Sequence, residues 1–409
     1  MDKQQNSEVI YVHPFTPMPE PIIIPISVPA LINRLPFKIH GYFSDEITRE
    51  IAINTKIIIL DIHWYFSLFG ASEFVKEIKK INTDVIFIAG GITSTLFADI
   101  LTNKFGIDYI IRGDAEGVLP LLVKSLLNNK KGINNVPNLT GKNNFKTEWT
   151  YSLNQNEFDE NNYYDIDFFP SLKKQVYNRH KINNENASTI FPFLVPFRGC
   201  PIDCINCAGN FTEQQRLFKR SYLVRSAAKV NEDLNLLNNT NNYSFVWCMH
   251  DFITLLPIEY AKQALSIKTN LNINYEFASF PEIEEISLLF SAFKGGNIYF
   301  SMDNMHTTSE NLTDAEKFIK LIKFMQKDFK SFVPITNFSG LYLKNNPIYR
   351  KSLEKIVKEV NCRIIDVSIW WRDNPKPDKN GDASEEEFFK YYEISKKETL
   401  DKRMKLYKF

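Results

Sequence analysis

The chain has 409 residues, of which 44% are hydrophobic and 24% are charged, and its formal net charge is +1 at pH 7. These values are typical of a globular protein with more than one domain, and the near-neutral charge excludes a general attraction to nucleic acid or to an anionic membrane. The first residues, MDKQQNSEVIYVHPF, lack the basic and apolar segments of a secretory signal, and every apolar run is far shorter than the roughly 20 residues that cross a bilayer. The sequence therefore predicts a cytoplasmic protein with neither a nucleic-acid nor a membrane partner.

Short strands rich in Ile and Val alternate with helical patterns over the first part of the chain. The predicted strands are EVIYVHPF (8–15), FKIHGYF (37–43), KIIILDIHW (56–64), DVIFIAGG (84–91) and DYIIRG (108–113). Between them lie amphipathic segments such as 72–81, whose apolar residues fall on one helical face. Strands of this kind, each followed by a helix, indicate a parallel sheet buried between two layers of helices. Residues 1–130 are therefore predicted to form a doubly wound, Rossmann-like α/β domain.

Three further regions follow this domain. Residues 131–185 are rich in Asn and contain the acidic-aromatic sequence NEFDENNYYDIDFF, which indicates a connector. The alternation then returns, with predicted strands at 191–197, 243–250, 273–280, 297–303, 330–338 and 362–370. Six such units predict a partial (β/α)6 barrel of the TIM type over residues 186–375, with its active site at the carboxyl ends of the strands. Residues 376–409 are predicted to form a C-terminal helical extension that packs on this barrel.

Three of the five cysteines lie within eight positions in the segment PFRGCPIDCINCAGN (196–210), which we call the cysteine segment. Cys200, Cys204 and Cys207 follow the first predicted barrel strand with the spacing CxxxCxxC. A structural zinc site normally takes four protein ligands, usually as two separated pairs, and no second pair follows. Three thiolates can instead hold three irons of a 4Fe-4S cluster and leave the fourth iron open to another ligand.

A CxxxCxxC motif after the first strand of a partial barrel resembles the radical S-adenosylmethionine (SAM) superfamily. The resemblance implies that the three cysteines hold a cluster whose open iron chelates SAM. One electron from the cluster then cleaves a carbon–sulfur bond of SAM to give a 5'-deoxyadenosyl radical. Asn206 departs from the bulky residue that the family usually has before its last cysteine. The candidate SAM contacts, at this position and at the predicted strand ends, are Asn206, Asp251, Ser301 and Asp303. The alternative is a zinc site or a redox disulfide.

The surroundings of the motif resemble the branch of this superfamily that carries a cobalamin-binding domain in front of the barrel. The resemblance is carried by RGC, NCAGN and KRSYLVRSAAKV, and by GGITST and RGDAE in the first domain. A domain of this type holds the corrin across the carboxyl ends of its strands, where paired glycines permit a flat macrocycle to approach closely. The candidate cobalamin contacts are Asp61, His63, Trp64, Gly90, Gly91, Thr93, Ser94, Arg112, Gly113 and Asp114. For the hydroxyls of Thr93 and Ser94, we favour capping of the next helix over contact with cobalamin.

A protein ligand to cobalt is not predicted by the sequence. Mutase-type cobalamin domains use an Asp-x-His-x-x-Gly element after their first strand. Here DIHWYFSLFG follows the third predicted strand, and its glycine, Gly70, comes too late. The loop after the first strand contains His13 but no such element. His63 is therefore predicted to be a pocket or packing residue.

The resemblance implies a two-cofactor enzyme that uses a 4Fe-4S cluster, SAM and cobalamin. The commonest chemistry of this branch is methylation of an unactivated carbon, with one SAM as the source of the methyl group and a second as the source of the radical. The implied partners are a small-molecule or peptide substrate and an electron donor such as flavodoxin or ferredoxin. The alternatives are a cyclase or rearrangement enzyme without methyl transfer, a radical enzyme with a degenerate cobalamin domain, and a non-catalytic electron carrier. The sequence identifies neither the catalytic residues nor the substrate.

Overall fold

The structure, a computed structural model, describes residues 5–17, 25–182, 192–203, 209–240, 242–248, 250–301, 313–337, 347–365, 375 and 377–401. The chain divides into two compact units. The first unit comprises residues 1–176, 212–221 and 374–409, and the second comprises residues 177–211 and 222–373. Within the described ranges, no helix combines the length and the hydropathy that a membrane span requires.

The first unit is built on a six-stranded sheet in the order β2-β1-β3-β4-β5-β6. Its strands are β1 (Gln5–His13), β2 (Lys38–Phe43), β3 (Ile57–Asp61), β4 (Ile86–Gly90), β5 (Tyr109–Ile111) and β6 (Leu139–Gly141). Strands β1 to β5 are parallel, and β6 is antiparallel to β5. The order of the five parallel strands is that of flavodoxin-like doubly wound sheets. The α/β class and the parallel strands predicted from the sequence are confirmed.

Helices connect these strands and cover the sheet. They are α1 (Ser27–Asn33), α2 (Arg49–Asn54), α3 (Leu68–Ile81), α4 (Ile92–Leu96), α5 (Ala98–Lys104), α6 (Val118–Leu127), α7 (Gln155–Glu160) and α8 (Pro170–Ile182). Helix α3 shows why they pack as they do, because Phe74, Val75 and Ile78 form one buried stripe against the sheet. Burying a side chain of this size stabilises the fold by about 1.5–3 kcal/mol.

The region predicted as a connector takes part in the first unit. Strand β6 extends the sheet, and α7 begins at a capping box in which Asn154 and Glu157 exchange side-chain hydrogen bonds with each other's backbone N–H groups. Phe158 and Phe169 are fully buried, and the ring of Phe169 packs edge-on against Tyr11 of β1. The compact unit therefore extends to residue 176 rather than 130, because these aromatic side chains add to its core.

The second unit contains five parallel strands in the order β13-β12-β11-β10-β9, preceded by an antiparallel pair of β7 with β8. The strands are β7 (Phe197–Arg198), β8 (Leu223–Val224), β9 (Phe245–Cys248), β10 (Asn272–Phe277), β11 (Gly295–Ser301), β12 (Phe332–Asn337) and β13 (Arg363–Ile365). The helices are α9 (Phe211–Phe218), α10 (Ala227–Asn239), α11 (Ile258–Ala264), α12 (Ile283–Ala292), α13 (Thr313–Asp328) and α14 (Pro347–Glu359). Most of α9 belongs to the first unit.

The strand predicted at 191–197 differs from the other five predicted for this region. Within its described residues it pairs with β9 only through a bridge between Phe193 and Trp247. Pro192 and Pro196 have no N–H to donate, which limits the ladder, and the chain then turns into β7. The partial (β/α)6 barrel stays a prediction.

The C-terminal helix α15 (Glu385–Asp401) packs within the first unit, whereas the sequence had led us to expect packing on the barrel. Phe388 is fully buried against Phe97 and Phe105, and Tyr391 contacts Tyr65. The aromatic stripe of the helix was predicted correctly, but its packing partner was not. An amphipathic pattern predicts that a face is buried and does not identify the surface that covers it.

Candidate functional site

Four residues lie side by side where strands β2, β1, β3 and β4 end, and we call them the edge row: Phe43, His13, Asp61 and Gly90. His13 pairs with Phe43, and Asp61 pairs with Gly90. Val12 pairs with Leu60, which places the next residues, His13 and Asp61, beside each other. Ligands of doubly wound sheets bind outside the carboxyl ends of the strands, so the edge row occupies the position at which cobalamin was predicted.

Asp61, a candidate cobalamin contact, holds two buried side chains of β1. Its Oδ1 accepts a hydrogen bond from the Tyr11 hydroxyl at 2.6 Å and lies 3.0 Å from Nδ1 of His13. All three residues are buried, and burial together with the Asp61 charge raises the pKa of Tyr11 well above its usual value. The carboxylate is therefore engaged within the protein, which favours a positioning role over direct contact with a ligand.

The other ring nitrogen of His13 has no such partner. The side chain is only 3% exposed, and Nε2 has no hydrogen-bond partner among the residues that the structure describes. A buried polar atom without a partner costs about 1–3 kcal/mol, so native proteins rarely retain one without a ligand, water or ion at that position.

The paired glycines at the end of β4 differ from each other. No heavy atom of the described chain, apart from its own neighbours, lies within 4 Å of the position that a Cβ at Gly90 would take. Gly91 has φ +108°, and a Cβ there would lie 2.8 Å from the Cα of His63. Gly91 is therefore required by the backbone, whereas Gly90 leaves open space beside the edge row.

Thr93 and Ser94 are the residues for which capping was favoured, and that expectation is wrong. The N-cap of α4 is Gly91, and both hydroxyl-bearing residues lie inside the helix. The Thr93 hydroxyl donates to the His63 carbonyl at 3.0 Å, and the Ser94 hydroxyl donates to the Gly90 carbonyl at 2.7 Å. Both side chains are buried, and the Thr93 bond, with the backbone bond from the Ser94 N–H to the Ile62 carbonyl, joins the loop after β3 to the loop after β4.

His63 and Trp64, by contrast, are partly exposed in the loop after β3. Their rings meet edge to face with centroids 4.5 Å apart. Together with Gly90 and Gly91 they are the partly exposed members of the predicted cobalamin set at the ends of β3 and β4.

Asp114 follows β5 and forms a buried ion pair. Its carboxylate accepts two hydrogen bonds from Arg220, at 2.6 Å and 3.0 Å, and one from the backbone N–H of Leu153. The Asp114 side chain is fully buried and that of Arg220 is 9% exposed. Asp114 thus fixes the segment that follows the cysteine segment to the sheet of the first unit, which is a structural role.

Arg112 and Gly113 also contact distant segments of the first unit. The Arg112 guanidinium donates to Asp382 at 2.7 Å and lies 4.2 Å from the ring centre of Trp149. Gly113 has φ +73° and its N–H donates to the hydroxyl of Thr95 at 3.1 Å. These contacts give both residues a role in packing, and their contact with cobalamin stays a prediction.

The cysteine segment contains β7, and its first cysteine, Cys200, follows that strand after Gly199. Gly199 has φ +96°, a conformation that favours glycine, and turns the chain into Cys200. The Ile202 N–H donates to the Cys200 sulfur at 3.5 Å, and the Ile202 carbonyl accepts from the N–H of Phe211 at the start of α9. Hydrogen bonds to sulfur favour a thiolate and tune a cluster that it binds. The predicted residues Cys204, Asn206 and Cys207 lie outside the described residues.

Asp251, a candidate SAM contact, stabilises the loop after β9. It accepts hydrogen bonds from the Tyr275 hydroxyl at 2.8 Å and from the backbone N–H groups of Ile253, Thr254 and Ala278. The Thr254 hydroxyl also donates to it. Burial raises the pKa of this carboxylate. Both oxygens are thus used internally, which favours a positioning role over direct contact with SAM.

The remaining SAM candidates are described less fully. Ser301 is the last residue of β11, at the carboxyl end of the sheet as predicted, and Asp303 lies outside the described residues. Next to Asp251, burial lowers the pKa of His250 to about 4, so this histidine is neutral at pH 7.

Sequence reasoning did not find the partners of Asp61. Tyr11 and His13 are two residues apart on β1, so their side chains point to the same face as Asp61 on the neighbouring strand. The period-two spacing was visible in the sequence, but the register that brings β3 beside β1 was not.

Comparisons with known proteins show the fold of the chain. Neither the protein-family models nor the curated protein sequences gave a match. TsrM from Kitasatospora setae, a radical SAM methyltransferase solved with tryptophan substrate and the SAM analogue aza-SAM, has a TM-score of 0.56 at 13% identity. That match covers 80% of this chain and 67% of TsrM. A second TsrM structure, with cobalamin and a [4Fe-4S] cluster bound, gives a TM-score of 0.55 at 14% identity, over 82% of this chain and 66% of TsrM.

The cobalamin-dependent SAM radical enzyme OxsB, solved with aqua-cobalamin bound, is similar over nearly the whole of this chain. Its TM-score is 0.58 at 14% identity, and the match covers 98% of this chain and 56% of OxsB. This chain therefore spans about two thirds of TsrM and little more than half of OxsB. The fold of this chain is similar to that of cobalamin-dependent radical SAM enzymes whose structures hold cobalamin, a [4Fe-4S] cluster and a SAM analogue.

Proposed function

We propose that this protein is a cobalamin-dependent radical SAM enzyme that methylates an unactivated carbon. The observation that carries the proposal is the CxxxCxxC motif directly after β7, in a unit whose following strands form a five-stranded parallel sheet. The likeness in fold to OxsB over 98% of the chain supports it, as does the doubly wound strand order of the first unit. Each cofactor has a separate set of candidate residues in this chain.

The proposed cluster ligands are the thiolates of Cys200, Cys204 and Cys207. The residues present fit such a cluster, because a CxxxCxxC triplet supplies three thiolates and the Ile202 N–H already points at one sulfur. The proposed SAM contacts are Asn206, Ser301 and Asp303, with Asp251 holding the loop after β9 in place. When bound, the cluster supplies the electron that cleaves SAM, and cobalamin supplies the methyl group.

The proposed cobalamin surface is the edge row with the loops beside it. The residues present fit a flat macrocycle, because the space beside Gly90 is open and the rings of His63 and Trp64 are partly exposed. Apolar and aromatic groups with a few fixed polar atoms are the usual lining of a cofactor site. The chain's contribution is to hold and orient the cofactors and to exclude water from them.

A reaction without methyl transfer is the second candidate. OxsB is described as a radical enzyme rather than as a methyltransferase, and its likeness covers more of this chain than the likeness to TsrM does. Either reaction needs an electron donor, for which we propose flavodoxin or ferredoxin in the cytoplasm. We propose a small molecule or a peptide as the substrate; TsrM was solved with the small molecule tryptophan bound.

The experiment that tests the proposal measures iron and cobalt per chain. The protein is reconstituted anaerobically with iron, sulfide and hydroxocobalamin, freed of unbound cofactor, and then given SAM and a reductant. We expect about four irons and one cobalt per chain, together with 5'-deoxyadenosine. Iron without cobalt would refute the cobalamin part of the proposal, and cobalt without iron would refute the radical part. A product without an added methyl group would favour the second candidate.

A further inference from the structure

His13 lies in the edge row, which the proposed function takes as part of the cobalamin surface without assigning a role to this residue. It is the last residue of β1 and lies next to Asp61, the last residue of β3. Strand β3 separates it from Gly90 on β4. In-register neighbours on parallel strands direct their side chains to the same face, so the open space beside Gly90 lies on the face that His13 and Asp61 share.

The hydrogen bonds to Asp61 decide which nitrogen of the His13 ring carries the proton. The Tyr11 hydroxyl donates to the Asp61 carboxylate, and a carboxylate oxygen accepts hydrogen bonds. Nδ1, at 3.0 Å and 3.1 Å from the two oxygens, is therefore the protonated nitrogen. In the neutral ring this leaves the lone pair on Nε2, the atom that is buried without a partner among the described residues.

We propose that Nε2 of His13 is the axial protein ligand to the cobalt of cobalamin, with Asp61 as its positioning residue. Metal-binding histidines almost always donate their other ring N–H to a carboxylate or a carbonyl, which fixes the tautomer and increases the basicity of the ligating nitrogen. The bond that forms is dative, from the Nε2 lone pair to cobalt, and the nitrogen base of cobalamin's own nucleotide tail leaves that position. No proton or electron is exchanged.

This inference rests on the proposed function, because it requires the first unit to bind cobalamin. A bound water molecule at Nε2 is the competing explanation. Cobalt is favoured because His13 lies in the row of residues at the carboxyl edge of the sheet, and the space beside Gly90 in the same row is open. This role is not visible in the sequence, since Asp61 and His13 lie on different strands and form no Asp-x-His element.

The experiment is electron paramagnetic resonance of the full chain, loaded with hydroxocobalamin and reduced to the cobalt(II) state. Ordinary nitrogen on the axis of cobalt(II) splits each cobalt line into a triplet, and nitrogen-15 splits it into a doublet. We expect a triplet that becomes a doublet when only the histidines carry nitrogen-15, and that disappears in His13→Gln. His40→Gln, the same change on β2 of the same sheet, is the matched control and should keep the splitting.

The outcomes separate this inference from the proposed function. Bound cobalamin with no nitrogen splitting, or with a triplet that the histidine label does not change, would overturn the inference and leave the proposed function in place. A label-sensitive splitting that survives His13→Gln would also overturn it, because another histidine would be the ligand. Absence of bound cobalt would refute the cobalamin part of the proposed function and the inference with it.

Further variants keep the test decisive. If His13→Gln does not fold, Gln replaces each of the other five histidines in turn, and the splitting should persist in every one of those proteins that binds cobalamin. Asp61→Asn should keep the splitting and weaken cobalamin binding by about tenfold, the lower end of the effect of removing such a partner. Unchanged affinity in Asp61→Asn would remove Asp61 from the positioning role.

Discussion

The second unit carries its candidate cluster ligands in one short stretch of sequence, whereas the first unit assembles its candidate cobalamin surface from the ends of separate strands. The three cysteines lie within eight positions, and their spacing alone indicates a cluster. The edge row comes from β2, β1, β3 and β4, over a span of residues 13–90. A local site can be predicted from spacing, while a site assembled across a sheet also requires the register of the strands.

The largest effect should come from the local site. Cys204→Ala should abolish cluster assembly, so that iron falls from about four per chain to near zero and 5'-deoxyadenosine is no longer formed. The first unit should still bind cobalamin, since its fold does not include this cysteine. Cys362→Ala is the matched control, because Cys362 is buried beside Thr336 and is not part of the motif. A normal yield of 5'-deoxyadenosine from Cys204→Ala would contradict the ligand assignment.

In the first unit, the largest loss of stability should come from breaking an ion pair between residues far apart in the sequence. Asp114→Asn removes the carboxylate from the buried guanidinium of Arg220, which should lower the free energy of unfolding by about 3–5 kcal/mol. Urea denaturation measures the change. The control is Lys56→Gln in the exposed ion pair with Glu8, where the loss should stay below about 1 kcal/mol. Equal losses in the two proteins would mean that Asp114 is no more important than a surface charge.

Two adjacent phenylalanines of the C-terminal helix, one buried and one exposed, test whether this helix contributes to the core of the first unit. Phe388→Ala should destabilise the first unit by about 3 kcal/mol or more, because it leaves a cavity between α15 and the sheet-covering helices. Phe389 is 43% exposed, so Phe389→Ala should change the free energy of unfolding by no more than about 0.5 kcal/mol. If the two variants unfold alike, α15 does not complete the core of the first unit.

Alanine variants of Gly90 and Gly91 distinguish an effect on folding from an effect on cofactor binding at the edge row. Gly91→Ala should destabilise the fold by about 1–3 kcal/mol, because φ is +108° and the new Cβ would contact His63. Gly90→Ala meets no described atom within 4 Å, so unfolding should change little. Its cobalamin dissociation constant should rise about tenfold, equivalent to about 1.4 kcal/mol, if the cofactor fills that space. Unchanged affinity would place cobalamin elsewhere.

The smallest effect concerns pH and the second unit. Burial lowers the pKa of His250 to about 4, below its unfolded value of about 6.5, so the unfolded chain binds the proton first as the pH falls. The contribution of His250 to the free energy of unfolding is therefore fully present above the pKa of the unfolded chain. It is lost as the pH falls toward the pKa of the folded protein. Between pH 7 and about 5.5 the loss should be about 1 kcal/mol. His250→Asn should lose less over the same range in urea denaturation; an identical loss would show that other groups cause it.

These contrasts explain how much the sequence could predict. The five parallel strands of the first unit and the position of the cysteine segment followed from apolar runs and from spacing. The internal use of Asp61, Asp114 and Asp251 did not, because each accepts hydrogen bonds from residues on other segments. Polar residues at strand ends were correctly located, but their hydrogen-bond partners depend on tertiary contacts that no local pattern encodes.

The packing of α15 has a consequence for the order in which the protein forms during synthesis. Phe388 and Tyr391 leave the ribosome more than 350 residues after the residues of β1 with which they share a hydrophobic core. At typical elongation rates of about 5–20 residues per second, that interval lasts tens of seconds. Part of the apolar face of the first unit therefore stays exposed while the second unit is synthesised. During that interval this face is available for a chaperone to bind.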